Sequence, residues 1–327
     1  MKEGSAREAL IIGTMMMAEA LVDDDIFVYM GGNQRVPDGV RRARIHKSVK
    51  IVPARAFSNR RNLISVEFHD GVEIIEDDAF YYCRSLKGPI KLLGVRIIKE
   101  RAFGYCHRLT DVEFGDKLET IERHAFHTTA LKKIKMPSVR TIGKEAFAWC
   151  DDLSDVECGE ALRTLQEEAF DNCRSLERIS LPLKGNMIED GAFYRCPTLT
   201  TVHLVGGIHR TIASLHLESW RNEMMDEINR INLTLYTFTA WHKTGAIQRW
   251  METVINRLDR YKTEHKYILK EAATLLELAL WKTKLDCNEK SEVAKGEQRH
   301  RERKELRVTS GADVVIKSVL PFLQIFK

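Results

Sequence analysis

The sequence predicts an α+β chain: a solenoid of about seven 23-residue coils with parallel β-strands, followed by a C-terminal α-helical region. Three observations predict it. The dipeptide Ala-Phe recurs at Ala56-Phe57, Ala79-Phe80, Ala102-Phe103, Ala125-Phe126, Ala146-Phe147, Ala169-Phe170 and Ala192-Phe193, at an even spacing that shortens once, between Phe126 and Phe147. Four positions before each Ala stands an aliphatic residue: Val52, Ile75, Ile98, Ile121, Ile142, Leu165 and Ile188. After most anchors a Leu opens an alternating pattern, as in Leu63-x-x-Val66-x-Phe68, Leu109-x-x-Val112-x-Phe114 and Leu131-x-x-Ile134-x-Met136. It returns from Leu153, Leu176 and Leu199, and an early copy, Val40-x-x-Ala43-x-Ile45, precedes the first anchor.

A period of this length is too short for two helices and suits one strand plus one return segment. No such coil buries its apolar side alone. Stacked coils bring parallel strands to about 4.8 Å and share one core. Phe57, Phe80, Phe103, Phe126, Phe147, Phe170 and Phe193 then fill the broad turns, while the preceding Ala lets backbones approach. Leu176 through Cys196 shows the unit well, with Pro182 after the strand, then Ile188, Ala192-Phe193 and Cys196. This pattern resembles the Treponema-type (BspA-like) leucine-rich repeats over about residues 40–212. The resemblance implies a leucine-rich-repeat solenoid, no catalytic motif, and a recognition or adhesion role of the kind found on bacterial surfaces and in single-celled eukaryotes.

Two coils depart from the pattern. In Leu86-Lys87-Gly88-Pro89-Ile90-Lys91-Leu92 the alternation slips by one position, which predicts a bulge with a weakened ladder at Gly88 and Pro89. The fourth coil is shorter and carries Thr128-Thr129 where a neighbour has Cys.

The chain has 327 residues, 44% hydrophobic and 30% charged, which is ordinary for a globular protein. With 51 Lys+Arg against 47 Asp+Glu it carries only +4, no footprint for specific nucleic-acid binding. Seven cysteines are an odd number and no disulfide framework. Cys83, Cys106, Cys150, Cys173 and Cys196 all lie three positions after the repeat Phe, a column that reads as core packing. Unpaired thiols favour a cytoplasmic, reducing compartment over a secreted one. His124 and His127 read as solvated surface residues, and no G-x-S-x-G, H-E-x-x-H or P-loop spacing occurs. Neither an enzyme nor a bound cofactor or metal is expected.

Leucine-rich repeats usually bind through the concave strand face, so the candidate protein-binding residues are its outward columns. One column reads Arg44, Glu67, Ile90, Glu113, Lys135, Glu157, Ser180 and His203. The other reads Arg42, Ser65, Gly88, Asp111, Lys133, Asp155, Arg178 and Thr201. Lys132, Lys133 and Lys135 cluster between acidic coils bearing Asp111, Glu113, Asp155 and Glu157. The plain alternative is that alternating charges merely support neighbouring strands. A docking surface would use them for specificity more than affinity.

The ends divide into further segments. Residues 1–25 are an apolar N-terminal segment, read as a short amphipathic helix, although Ala18-Glu19-Ala20 offers a signal-like cleavage site. Residues 26–39 read as a cap hairpin turning at Gly31-Gly32, and 40–212 as the solenoid. Residues 213–286 become helical: Leu217, Trp220, Met224, Ile228, Ile231 and Leu235 trace one face. Thr244 reads as an N-cap, and Ile247, Trp250, Val254, Leu258, Tyr261, His265, Ile268, Ala272, Leu275, Ala279 and Trp281 trace a second helix. Part of this region should fold back as a cap on the last coil, and its helices offer a route to homo-oligomers. Residues 287–308 form a charged linker whose Arg299–Lys304 run resembles a nuclear-import patch diluted by Glu297, Glu302 and Glu305. Residues 309–327 are an apolar tail expected to dock within the chain. No apolar run is long enough for a transmembrane segment. The expected partner is a protein or peptide.

Overall fold

The computed structural model describes residues 26–215 and 217–293, so the expected N-terminal helix, most of the charged linker and the apolar tail lie outside the described residues. Two walls of parallel strands make up the solenoid. The first wall takes β1 (Ile26–Tyr29), β2 (Arg42–Ile45), β4 (Ser65–Glu67), β6 (Ile90–Leu92), β8 (Val112–Phe114), β10 (Lys133–Met136), β12 (Asp155–Cys158), β14 (Arg178–Pro182) and β15 (Thr201–Val205). The second takes very short strands: β3 (Ile51–Val52), β5 (Ile74–Ile75), β7 (Ile97–Ile98), β9 (Thr120–Ile121), β11 (Thr141–Ile142) and β13 (Thr164–Leu165). The second wall is one continuous ladder, whereas the first divides into β1-β2-β4, β6-β8 and β10-β12-β14-β15. Its breaks fall at the coil whose alternation slips at Gly88 and beside the shortened fourth coil.

The register places equivalent residues side by side, as in Ile134↔Val156 and Ile142↔Leu165. Between the walls lies the core. The seven repeat phenylalanines are all 0% exposed. Their rings stack face to face from coil to coil, with centroids 4.8 Å apart at Phe57–Phe80 and 6.0 Å at Phe170–Phe193. Tyr29 closes the N-terminal end of this spine with an edge contact to Phe57 at 5.1 Å. Each cysteine of the repeat column sits inside, and its thiol donates to the Phe carbonyl of the coil before, as from Cys106 to Phe80 at 3.2 Å. Thr129 occupies that slot in the short coil, donating to the Phe126 carbonyl at 3.0 Å and meeting Cys150 Sγ at 3.1 Å.

The broad turn needs left-handed backbone twice per coil. The residue before the repeat Ala is at positive φ in Arg55, Asp78, Arg101, His124, Glu145, Glu168 and Gly191. So is the second residue after the Phe, from Asn59 and Tyr82 to Trp149 and Arg195. Non-glycine residues there give up about 1–2 kcal/mol each, which the stacked core must offset.

Several expectations need correction. No hairpin caps the first coil: β1 pairs in parallel with β2, Ile26 opposite Arg42, and so extends the first wall. The glycine pair does turn the chain, both residues at positive φ, but the path from Met30 to Arg41 is long enough to re-enter in parallel. Ile90 is inward and 1% exposed, with Lys91 outward in its place. Compared with Leu63 to Val66, the segment from Leu86 to Ile90 holds one extra residue, absorbed where Gly88 lies against Asp111. A Cβ on Gly88 would fall 2.3 Å from the Asp111 carbonyl oxygen.

After β15 come α1 (Ile208–Ala213), α2 (Glu218–Thr234) and α3 (Lys243–Val293), which carries helix beyond 287, where the sequence places the linker. Two compact units result among the described residues: 231–250 belong with the solenoid, while 207–230 and 251–293 fall in the other. In that second unit Trp220 stacks on Tyr261 at 4.8 Å, Met224, Val254 and Leu258 are buried, and Arg257 pairs with the buried Glu227 at 3.2 Å. The predicted α3 stripe is buried only as far as Tyr261; Leu275 and Trp281 are 61% and 69% exposed, and Leu217 of the other stripe is also exposed.

Within the solenoid unit, residues 231–250 meet the last coil by side chains. Thr244 does not cap its own helix: its hydroxyl accepts the Phe193 amide at 2.9 Å. Lys243, 1% exposed, donates to the carbonyls of Pro197 and Leu199, each at 2.6 Å. Asn232 Oδ1 accepts the Val202 amide at 2.8 Å, and Gln248 donates to the Ile188 carbonyl at 2.9 Å.

Candidate functional site

Strand alternation fixes what the first wall shows to solvent. Its first outward column runs Val28, Arg44 and Glu67, then Lys91 and Glu113, then Lys135, Glu157, Ser180 and His203. The second holds Arg42 and Ser65, then Lys133, Asp155, Arg178 and Thr201, with Asp111 just before β8. All the predicted residues except Ile90 and Gly88 thus stand on or beside one outward wall, ordered by the coil stacking.

Charges along it pair across neighbouring strands. Arg44 meets Glu67 at 2.6 Å, Lys91 meets Glu113 at 3.6 Å and Lys135 meets Glu157 at 3.0 Å. Arg178 holds Asp155 at 2.7 Å, a bond that raises the guanidinium pKa, so Asp155 is engaged although Lys133 lies opposite in register. These side chains are largely solvated, and exposed pairs of this kind add little to stability. Their energetic weight in the fold is therefore small, and the wall's order comes from the buried half of each strand.

The cysteines are chemically quiet. Burial pushes Cys83 and Cys158 up to about 12 and Cys150 to about 11, and raises Cys106 and Cys173 well above the ordinary thiol value. Burial thus disfavours the thiolate, the form that attacks and ligates. Among the described residues no three His, Cys, Asp or Glu side chains gather as a metal would need. Nor is any helix among them long and apolar enough to cross a membrane.

A second surface went unread in the sequence: the edge formed by the broad turns. Tyr82 and Tyr105 stack at 4.7 Å, with Tyr81 against both and His127 on the far side of Tyr105 at 5.2 Å. His124 and His127 are half-buried, not solvated, and His124 Nε2 lies 2.9 Å from Glu145. Burial and then the charge of His124 lower the His127 pKa. Further along, the Arg195 guanidinium lies 5.1 Å over Trp149 and 6.0 Å from Trp241, and its Nε donates to the buried Asp171 at 2.8 Å. The signal was available in the column two positions after each repeat Phe, which varies too much in residue type to announce itself.

The model described as BspA type leucine-rich repeat region matches this chain at residues 39–141 and 96–222, in six copies. Among solved structures, a leucine-rich repeat protein from Bacteroides ovatus is 26% identical, with 55% of this chain and 45% of that one covered and a TM-score of 0.45. The chain thus spans less than half of that protein's length. The leucine-rich repeat protein of T. pallidum is 23% identical over 55% of this chain and 70% of its own, with a TM-score of 0.37. A leucine-rich cell surface protein from Faecalibacterium prausnitzii is 22% identical over 56% and 70%, with a TM-score of 0.33. No curated protein matches the chain. The family model covers more than half of the sequence, seated on the Phe-spined coils described above, and the chain belongs to the BspA-type leucine-rich-repeat family.

Proposed function

We propose that the chain is a non-enzymatic scaffold that binds a protein or peptide on the outward columns of the first wall. The observation that carries this reading is the register of β10 and β12. It aligns Lys133 and Lys135 with Asp155 and Glu157 and leaves Lys132 and Lys133 exposed on a rigid support. Paired rim charges of this kind steer and select a partner more than they hold it. Substitution of Lys133 and Lys135 by Glu together should weaken capture of the partner by the intact chain. Unchanged capture with the fold intact would sink the reading.

The second helical half of α3 favours another use. Tyr267, Leu275, Leu278, Leu280 and Trp281 are all more than half exposed, which suits association through the helix. Leu275→Glu with Trp281→Glu should lower the native mass if copies associate there, and leave it unchanged if they do not. Point changes serve better than removing residues 214–327, because that cut would take Lys243, Thr244 and Gln248 away from the last coil.

For the compartment, we propose the cell interior. The unpaired thiols of the repeat column support that reading, and the N-terminus tests it. An intact N-terminus by mass spectrometry supports the interior, and cleavage after Ala20 overturns it.

A further inference from the structure

Several charges of the solenoid pair from coil to coil. Besides the pairs on the first wall, Lys50 meets Glu73, Arg96 meets Glu119, Lys99 meets Glu76 and Lys144 meets Glu167, each pair joining adjacent coils. Another row carries cations without such pairs. Four positions after the repeat Phe, the first three coils carry Arg61, Arg84 and His107, with Arg108 beside the last. All four are exposed, and among the described residues no carboxylate lies within ion-pair distance of the three arginines. The same column continues as Ala130 and then Asp151, which Arg174 already holds at 3.8 Å. The row is therefore confined to three coils, and Arg61, Arg84 and Arg108 carry its charge, because burial and then the charge of Arg84 lower the His107 pKa.

It also lies along the aromatic edge. The Arg84 guanidinium sits 4.9 Å over the Tyr82 ring, Tyr82 stacks on Tyr105, and His107 contacts Tyr105 at 6.0 Å. Tyrosine and arginine together are the side chains that most often carry binding energy at interfaces. Rings already stacked on one another offer edges and hydroxyls, not open faces. The available chemistry is thus cationic and hydrogen-bonding, at fixed spacing.

We propose that this edge is a docking surface for a short acidic peptide segment lying across the first three coils. Coil spacing of about 4.8 Å makes the row about 10 Å long, which an extended chain spans in about three to four residues at about 3.3 Å each. Glu or Asp on such a segment reaches the arginines with charge-assisted, bidentate geometry. A nucleic-acid strand suits the edge less well. Asp78 lies near enough to Tyr81 to act on it electrostatically, and a continuous run of phosphates along the edge would meet that carboxylate. The surface is separate from the first wall and does not depend on the wall's role.

The test uses the full chain and a fluorescein-labelled hexaglutamate peptide read by anisotropy. Arg61→Glu, Arg84→Glu and Arg108→Glu combined should weaken binding by at least about tenfold. Lys266→Glu with Lys270→Glu, an exposed charge reversal on α3, should leave it unchanged, which separates the row from net charge alone. Binding should also weaken between about 50 and 200 mM salt. Should the reversal variant fail to fold by circular dichroism, the neutral set Arg61→Gln, Arg84→Gln and Arg108→Gln takes its place with the same expected direction. Equal affinity of the folded variant, or equal binding of hexaglutamine, would overturn the proposal. Tighter binding of a labelled oligouridylate would overturn the peptide in favour of single-stranded nucleic acid.

Discussion

Phe170 and Phe193 present the same backbone amide in neighbouring coils, and different chemistry meets it. The Phe170 amide bonds to the carbonyl of Ala192 at 2.9 Å, as every earlier repeat Phe does to the Ala one coil on. The Phe193 amide bonds to the Thr244 hydroxyl at the same distance. Likewise Lys184 reaches back to the carbonyls of Glu160 and Leu162 from within the solenoid, and Lys243 does the same to Pro197 and Leu199 from a helix. A coil, then, needs partners at set positions, and it accepts them from any element that supplies a donor or acceptor there. Residues 231–250 act as the last coil's neighbour without being a coil. The distal part of α3, by contrast, shows large apolar side chains to solvent.

The largest effect should fall on the interior. Phe126→Ala removes a ring stacked on both sides and should cost about 3–5 kcal/mol by urea denaturation. A loss below about 1 kcal/mol would mean the spine is not continuous there. Next comes the end. Lys243→Met leaves two carbonyls without their buried donor and should cost about 1–3 kcal/mol. Lys184→Met should cost less, because Lys184 is partly exposed and water can replace it. Equal losses would erase the distinction between a buried cap and an ordinary coil.

A smaller effect should appear with pH. The folded pKa of His127 lies below its ordinary value of 6.5, by burial first and the charge of His124 second. As pH falls below 6.5 the unfolded chain gains a proton that the folded one resists, so stability is lost on acidification. His127→Gln should reduce the difference in urea midpoint between about pH 7.5 and pH 5.5. An unaltered difference would place the sensitivity elsewhere. The smallest change belongs to α3: Trp281→Ala should alter stability by less than about 0.5 kcal/mol, unless a partner covers it.

Much of this was legible from residue identity. The Phe spine, the inward cysteines and the outward columns follow from a period that repeats the same side chains at the same places. Ile90 was misplaced because one inserted residue reverses every later side chain in its strand until the register recovers. The Gly31-Gly32 turn announced a reversal but not the strand that would pair, and parallel re-entry leaves no local signature. Lys243 and Thr244 resemble the start of any helix, since their partners, Pro197, Leu199 and Phe193, lie far back in the chain beyond the whole of α2. Most of the tyrosine and histidine edge was hidden for a related reason: its column keeps backbone conformation, not residue type, from coil to coil.

Backbone hydrogen exchange on the full chain tests the central claim most directly, that helical side chains complete the stack at its last coil. The account predicts that the Phe193 amide is protected to the same degree as those of Phe126 and Phe147, and that Thr244→Val lowers protection at Phe193 while Phe126 keeps its own. Exchange at Phe193 as fast as in the exposed loops of the wild-type chain, or protection unmoved by Thr244→Val, would contradict it.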